Sequence, residues 1–203
     1  MRLRALTAVS ALTALTLLGA MPVAQAADSS APAVNEVTKV KELSPEEIQA
    51  MAAAQADTST QGVTAGTMTQ GRRVCFQAHT RKAGWTNTIC TDQSGFTGSQ
   101  GQADPIDAVR FAVGATGGMD FNVQLHWSND GTGSEYHIGP GAAVELYNGN
   151  DLEAIHLWSS NESMMAAAHV KDVGWKGTGL WSYNQWIGSI DEGRWMEAFW
   201  IDI

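Results

Sequence analysis

The chain has 203 residues, 12 Lys and Arg against 21 Asp and Glu, and eight tryptophans in a composition that is 44% hydrophobic. A formal charge of −9 without a basic cluster excludes nucleic-acid backbones and anionic membrane surfaces as partners, since both need grouped Lys and Arg. No segment beyond the first residues reaches the eighteen apolar residues of a membrane span, so no membrane insertion is expected.

Arg2 and Arg4 precede an apolar run from Ala5 to Ala20, and Ala24 to Ala26 has the small-x-small form that signal peptidase cuts. Residues 1–26 are therefore expected to be a cleaved signal peptide, and the mature chain to be secreted. No cysteine lies beside the cleavage point, so no lipid anchor is expected. Cleavage leaves 10 basic residues against 21 acidic ones, a net −11.

Residues 27–73 contain no aromatic side chain. Ala, Ser, Thr, Gln and Glu bury too little apolar surface to offset the entropy of ordering, which predicts a flexible tail. Within it, a short helix is expected near 45–56. Ser44 suits the N-cap, Pro45 the first turn, and Glu47 completes a capping box.

Residues 74–203 predict a single all-β domain. "VRFAV", "AIHLW" and "EAFWIDI" are β-branched and aromatic runs of strand length, and glycines punctuate the stretches between them. All eight tryptophans fall between Trp85 and Trp200. "ESMMAAAHV" fits helix or strand alone and is read as strand from its place in the repeat below. Cys75 and Cys90, in an exported chain, predict a disulfide across a hairpin turning near Lys82–Ala83.

Comparing the chain with itself gives three units, at about 74–113, 121–158 and 165–203. A histidine stands five residues before a turn glycine in each: His79 and Gly84, His126 and Gly131, His169 and Gly174. An acid followed by alanine comes 28, 27 and 28 residues after the histidine, at Asp107, Glu153 and Glu197. A few short strands cannot bury a face alone, so the units are expected to close on one another about a pseudo-threefold axis. A β-prism is favoured over a β-trefoil.

"AHVKDVGWKG…IGS…MEAFWIDI" resembles the clostridial hydrophobic Trp repeat, or ChW repeat, of secreted Gram-positive proteins. Ala168, His169, Val170, Gly174, Trp175, Gly188, Glu197 and Ala198 carry the resemblance in the third unit. Ala78, His79, Gly84, Trp85, Gly98, Gly101, Asp107 and Ala108 carry it in the first. The second unit departs, with Thr132 where the repeat has Trp. The Arg two before the repeat's Glu is missing from all three units. The resemblance implies an extracellular role in adhesion or in binding polysaccharide or protein, and it brings no catalytic residues.

The three histidines stand at one repeat position, which would bring them together in a metal site if they met at the axis. Repetition of a structural contact accounts for the recurrence without any ligand, so no metal and no cofactor is expected. Each histidine is expected to bond either a local carbonyl or its unit's acid. These pairs have no nucleophile beside them, so no enzyme is expected. "SNDGTGSE" lacks EF-hand spacing and reads as a turn.

Trp85 and Trp175, just after the turn glycine, are expected in the core, and Trp158 and Trp200 to be half-buried. Trp181, Tyr183, Asn184, Gln185 and Trp186 lie in an arm that the first unit lacks. Exposed rings among amides suit sugar, with ring faces stacking and amides meeting hydroxyls, so these five are the candidate ligand site. The sequence thus points to a secreted binding module for glycan or a cell-surface component. The alternatives are a protein-binding role, as protease inhibitor or adhesin, and a hydrolase using Asp151 or Glu192 beside a histidine.

Overall fold

The computed structural model describes residues 38–54, 73–115, 119–177 and 179–203. The expected signal peptide and the rest of the expected tail lie outside the described residues. β1 (Lys39–Glu42) and α1 (Pro45–Ala53) come first. The first unit carries β2 (Val74–Thr80), β3 (Gly84–Trp85), β4 (Ile89–Cys90), β5 (Thr97–Gly98) and β6 (Ile106–Val113). The second carries β7 (Phe121–Trp127), β8 (Gly131–Ile138), β9 (Ala143–Tyr147) and β10 (Leu152–Trp158). The third carries β11 (Met165–Val170), β12 (Gly174–Gly177), β13 (Asn184–Gly188) and β14 (Met196–Asp202). The fold is all-β apart from α1, and "MAAAHV" is strand. No described helix is long and apolar enough to cross a membrane.

The strands sort into three antiparallel sheets. The first runs β1-β9-β6-β2-β3 with β4 also on β2, the second β13-β10-β7-β8, and the third β12-β11-β14-β5. In each, the histidine strand pairs with its own unit's closing strand and with the strand after its turn. The closing strand's outer neighbour comes from another unit. β9 of the second unit joins the first sheet, β13 of the third joins the second, and β5 of the first joins the third. This exchange makes each sheet depend on two units.

One apolar core joins the sheets. Phe76 and Phe111 of the first sheet, Phe121 of the second and Phe199 of the third are fully buried. Their rings meet at 5.3 Å (Phe76–Phe199), 5.4 Å (Phe111–Phe121) and 6.3 Å (Phe111–Phe199). Burying each such ring stabilises the fold by about 1.5–3 kcal/mol. Trp127 is also fully buried, and its indole N–H donates to Thr38 Oγ1 at 2.9 Å.

The expected tail is corrected over residues 38–54, which belong to the domain. β1 pairs with β9 along Lys39–Glu42, covering an edge that would otherwise be open. The helix forms at 45–53, within the expected span, under the expected capping box of Ser44 and Glu47. Met51 and Ala52 pack with Leu43 on Cys75, Cys90, Ala112 and Ala143, and Thr88 Oγ1 donates to the Met51 carbonyl at 2.6 Å. Aromatic content underestimated this segment because small side chains bury well beneath a short helix. The Cys75–Cys90 disulfide lies under the helix, across paired strands.

Candidate functional site

Each sheet carries a β-bulge at its acid. His79 pairs with Ala108 but Thr80 with Ile106, so Asp107 is the extra residue. Glu153 and Glu197 are the extra residues opposite His126–Trp127 and His169–Val170. In a regular strand the acid would face away from its alanine neighbour, and the bulge turns it toward the histidine instead. His79 Nδ1 meets Asp107 Oδ1 at 2.6 Å, and His169 Nδ1 meets Glu197 Oε2 at 3.0 Å. Gly84, Gly131 and Gly174, at φ of 77°, 75° and 87°, start the strand that returns beside each histidine.

In the second unit the ring is reversed. Thr132, standing where the other units have Trp, binds His126 Nδ1 at 2.8 Å. Nε2 then faces Asp191 at 3.1 Å and Glu153 at 3.5 Å. Burial pushes the Glu153 carboxyl upward, with Asp191 adding to the rise and His126 opposing it. A polar cleft of about 720 Å³ opens here, beside Asp130 and Asp151. Its carboxylates have protein partners: Asn148 and Asn150 donate to Asp130, and Arg81 pairs with Asp151. Among the described residues no group of His, Cys, Asp and Glu converges as a metal site. Glu192 accepts from Ser189 and Lys176, which hold its carboxyl below the ordinary range.

Trp85 and Trp175 are not in the core, contrary to expectation. They stand opposite His79 and His169 on the outer faces and meet those rings edge-on at 5.1 and 5.5 Å. The histidine faces outward because the inner face is filled by phenylalanine and aliphatic side chains, so its cross-strand tryptophan must face outward too. Trp85 is covered by the Arg110 guanidinium, 3.7 Å above its ring. Trp175 is 40% exposed.

The five arm residues divide between environments. Trp181 and Tyr183 are more than half exposed. Asn184 and Trp186 lie on the outer face of the second sheet, where Trp186 stacks on His156 at 4.7 Å and 9°. Gln185 is corrected as a ligand contact. It alternates inward, is buried, and its amide donates to the Met164 carbonyl at 2.8 Å.

The arrangement best shaped for a ligand lies on the outer face of the third sheet. Trp175, half-buried Trp200 and Phe96 wall a cleft of about 420 Å³, with Gln93, Gln100 and Asp202 at its margin. Trp200 stands across from Ala167, which is paired on its other side with Gly177. A Cβ at Gly177 would lie 2.5 Å from that of Ala167, so this position has no room for a side chain. Phe96 meets Trp175 edge-on at 5.6 Å and comes with Gln93 and Gln100 from the first unit, so arm exchange builds the cleft. Trp200 was readable as outward by alternation from Phe199. Phe96, Gln93 and Gln100 carried no such signal.

Compared with protein-family models, with curated proteins and with solved structures, the chain matches none of them.

Proposed function

We propose that the chain is a secreted, non-catalytic glycan-binding module of three ChW-like units about a pseudo-threefold axis, and that sugar lies in the cleft on the third sheet. The strand order common to the three sheets supports the repeat reading. The signal-like N-terminus supports export. One observation carries the ligand: Phe96, Trp175 and Trp200 line one cleft together with two amides, Gln93 and Gln100, and one carboxylate, Asp202. A pyranose presents C–H faces that stack on indole and hydroxyls that both donate and accept. Gln93 and Gln100 answer both roles, and Asp202 accepts from neighbouring hydroxyls. The acidic chain and Asp202 favour neutral sugars over uronates or sulfated chains.

The test is titration of residues 27–203 with cellohexaose, chitohexaose and hexagalacturonate while tryptophan fluorescence is followed. A neutral hexasaccharide changes the emission and the uronate does not. Unchanged emission with both neutral sugars rules the reading out.

Protein docking is the second reading. It rests on Leu180, Trp181 and Tyr183, exposed by 71%, 53% and 58% on one short arm. Slowed turnover in a panel of extracellular proteases, abolished by Trp181→Ala, would favour it over sugar binding.

A further inference from the structure

We infer that the first sheet carries a separate site, a small cleft that takes the basic side chain of a partner protein; this goes beyond the glycan reading and does not depend on it. In each closing strand the alanine after the bulged acid lies on the histidine's face, between the histidine and a residue of the exchanged arm. The arm residue is Gly98 in the third sheet and Gly188 in the second, but Tyr147 in the first. A ring therefore stands where the other two sheets have none.

The register places Lys39, Tyr147, Ala108, His79 and Trp85 side by side across this face. Ala108 has the smallest side chain of the row, with Tyr147 on one side of it and His79 with Trp85 on the other. A cleft of about 240 Å³ opens there, and Asp107 and Glu145 also line it. Apart from the Tyr147 hydroxyl, its polar side chains accept. His79 shares its Nδ1 proton with Asp107 Oδ1 at 2.6 Å, which leaves Nε2 an acceptor. Arg110 donates twice to Glu145 Oε2, at 3.0 and 2.8 Å. Among the described residues, His79 Nε2, Asp107 Oδ2 and Glu145 Oε1 have no hydrogen-bond partner. No described amide side chain lines this cleft, in contrast to Gln93 and Gln100 on the third sheet. A sugar hydroxyl both donates and accepts, whereas an ammonium or guanidinium only donates, as these acceptors require.

The walls suit a cation as well, since ring faces attract cations. Both rings already do so within the chain. Arg110 lies 3.7 Å from the centre of the Trp85 ring, and Lys39 Nζ 5.7 Å from that of Tyr147. These neighbours are held elsewhere. Arg110 pairs with Glu145 and Glu47, Arg81 with Asp151, and Lys39 stands across Tyr147 from Ala108. Asp107 is left with His79 as its one ion-pair partner among the described residues. The chain's net negative charge draws a basic partner toward it. A cleft of this size admits one side chain, so the occupant is a lysine or arginine projecting from another protein.

NMR titration of the mature chain with acetyl-arginine amide, acetyl-lysine amide and the uncharged acetyl-norleucine amide tests this. The Trp85 indole N–H signal should move with at least one basic probe and stay unmoved with the uncharged one. Tyr147→Gly gives the first sheet the residue that the other two have, and should weaken binding at least about fivefold. The signal in the unaltered chain reads the site even if that variant fails to fold. An unmoved Trp85 signal overturns the inference, and so does one that the uncharged probe moves as far. Equal binding by a folded Tyr147→Gly protein overturns it too, because attraction to an acidic surface then accounts for the shift. A Trp85 signal that chitohexaose moves and the basic probes do not makes this a sugar site instead. Movement of Trp85 with a basic probe, while neither cellohexaose nor chitohexaose moves Trp175 or Trp200, keeps this site and removes the glycan reading.

Discussion

The Glu197 carboxylate accepts the backbone N–H of Gly101 at 2.9 Å, across 96 residues of sequence. The same oxygen meets His169 Nδ1, so one buried acid ties the third unit's histidine strand to the first unit's arm. Glu197 thereby holds the Thr97–Gly101 stretch as well as its own histidine strand.

Removing that acid should therefore loosen a junction. Glu197→Ala leaves two donors without their acceptor and is expected to cost about 2–3 kcal/mol, read from urea unfolding. Glu197→Gln keeps an acceptor and should cost less than half as much. Equal losses would place the effect in the carboxylate's charge, because Gln keeps the side-chain volume.

Gly98 and Gly188 sit where the arms cross the bulges. A Cβ on either would lie 2.3 Å from the carbonyl oxygen of Glu197 or Glu153, and both have positive φ. Backbone cannot yield as a side chain does, so Gly98→Ala and Gly188→Ala should each cost at least about 2 kcal/mol. Hydrogen exchange should rise first at the arm concerned, β5 or β13.

Reducing Cys75–Cys90 should lower stability by about 3 kcal/mol in the chain-entropy model. The Cys75→Ala/Cys90→Ala variant checks this by comparison with the oxidised chain. Alkylation of the native chain should label no thiol.

Two glutamates give opposite responses to pH. The Lys41 ammonium and the Ser44 backbone N–H hold the Glu47 carboxyl down at about 2, against an ordinary 4.5. Its stabilisation is present above pH 4.5 and is lost as pH falls toward 2, so acid should release α1 from the first sheet, and Glu47→Gln should remove that response. Glu153 is shifted upward, so its contribution is present below pH 4.5 and is lost as pH rises through its folded value. Glu153→Gln should flatten this opposing slope. Circular dichroism of thermal unfolding against pH measures both.

Much of this architecture was legible. The spacing of His79, His126 and His169 to Asp107, Glu153 and Glu197 marked the strand pairs, because a bulge needs its acid at one fixed place. The arm exchange was not legible, since Thr97 and Gly98 form too short a strand to carry a pattern. The packing of residues 38–54 was missed because Leu43, Met51 and Ala52 are buried without any aromatic signal. The place of Trp85 and Trp175 just after the turn glycine suggests the core, although pairing with an outward histidine fixes them outward. The arm candidates Trp181 to Trp186 were read as one patch, and alternation splits them. The cleft is not legible in the sequence because Phe96 joins Trp175 and Trp200 only through the exchanged arm.

Calorimetric titration of Trp200→Ala beside the unaltered chain, with whichever neutral hexasaccharide changes the emission, tests the cleft most directly. Loss of an aromatic anchor predicts at least about tenfold weaker affinity at that site, with unfolding temperature close to that of the unaltered chain. Unchanged affinity and stoichiometry in a folded Trp200→Ala protein would contradict it.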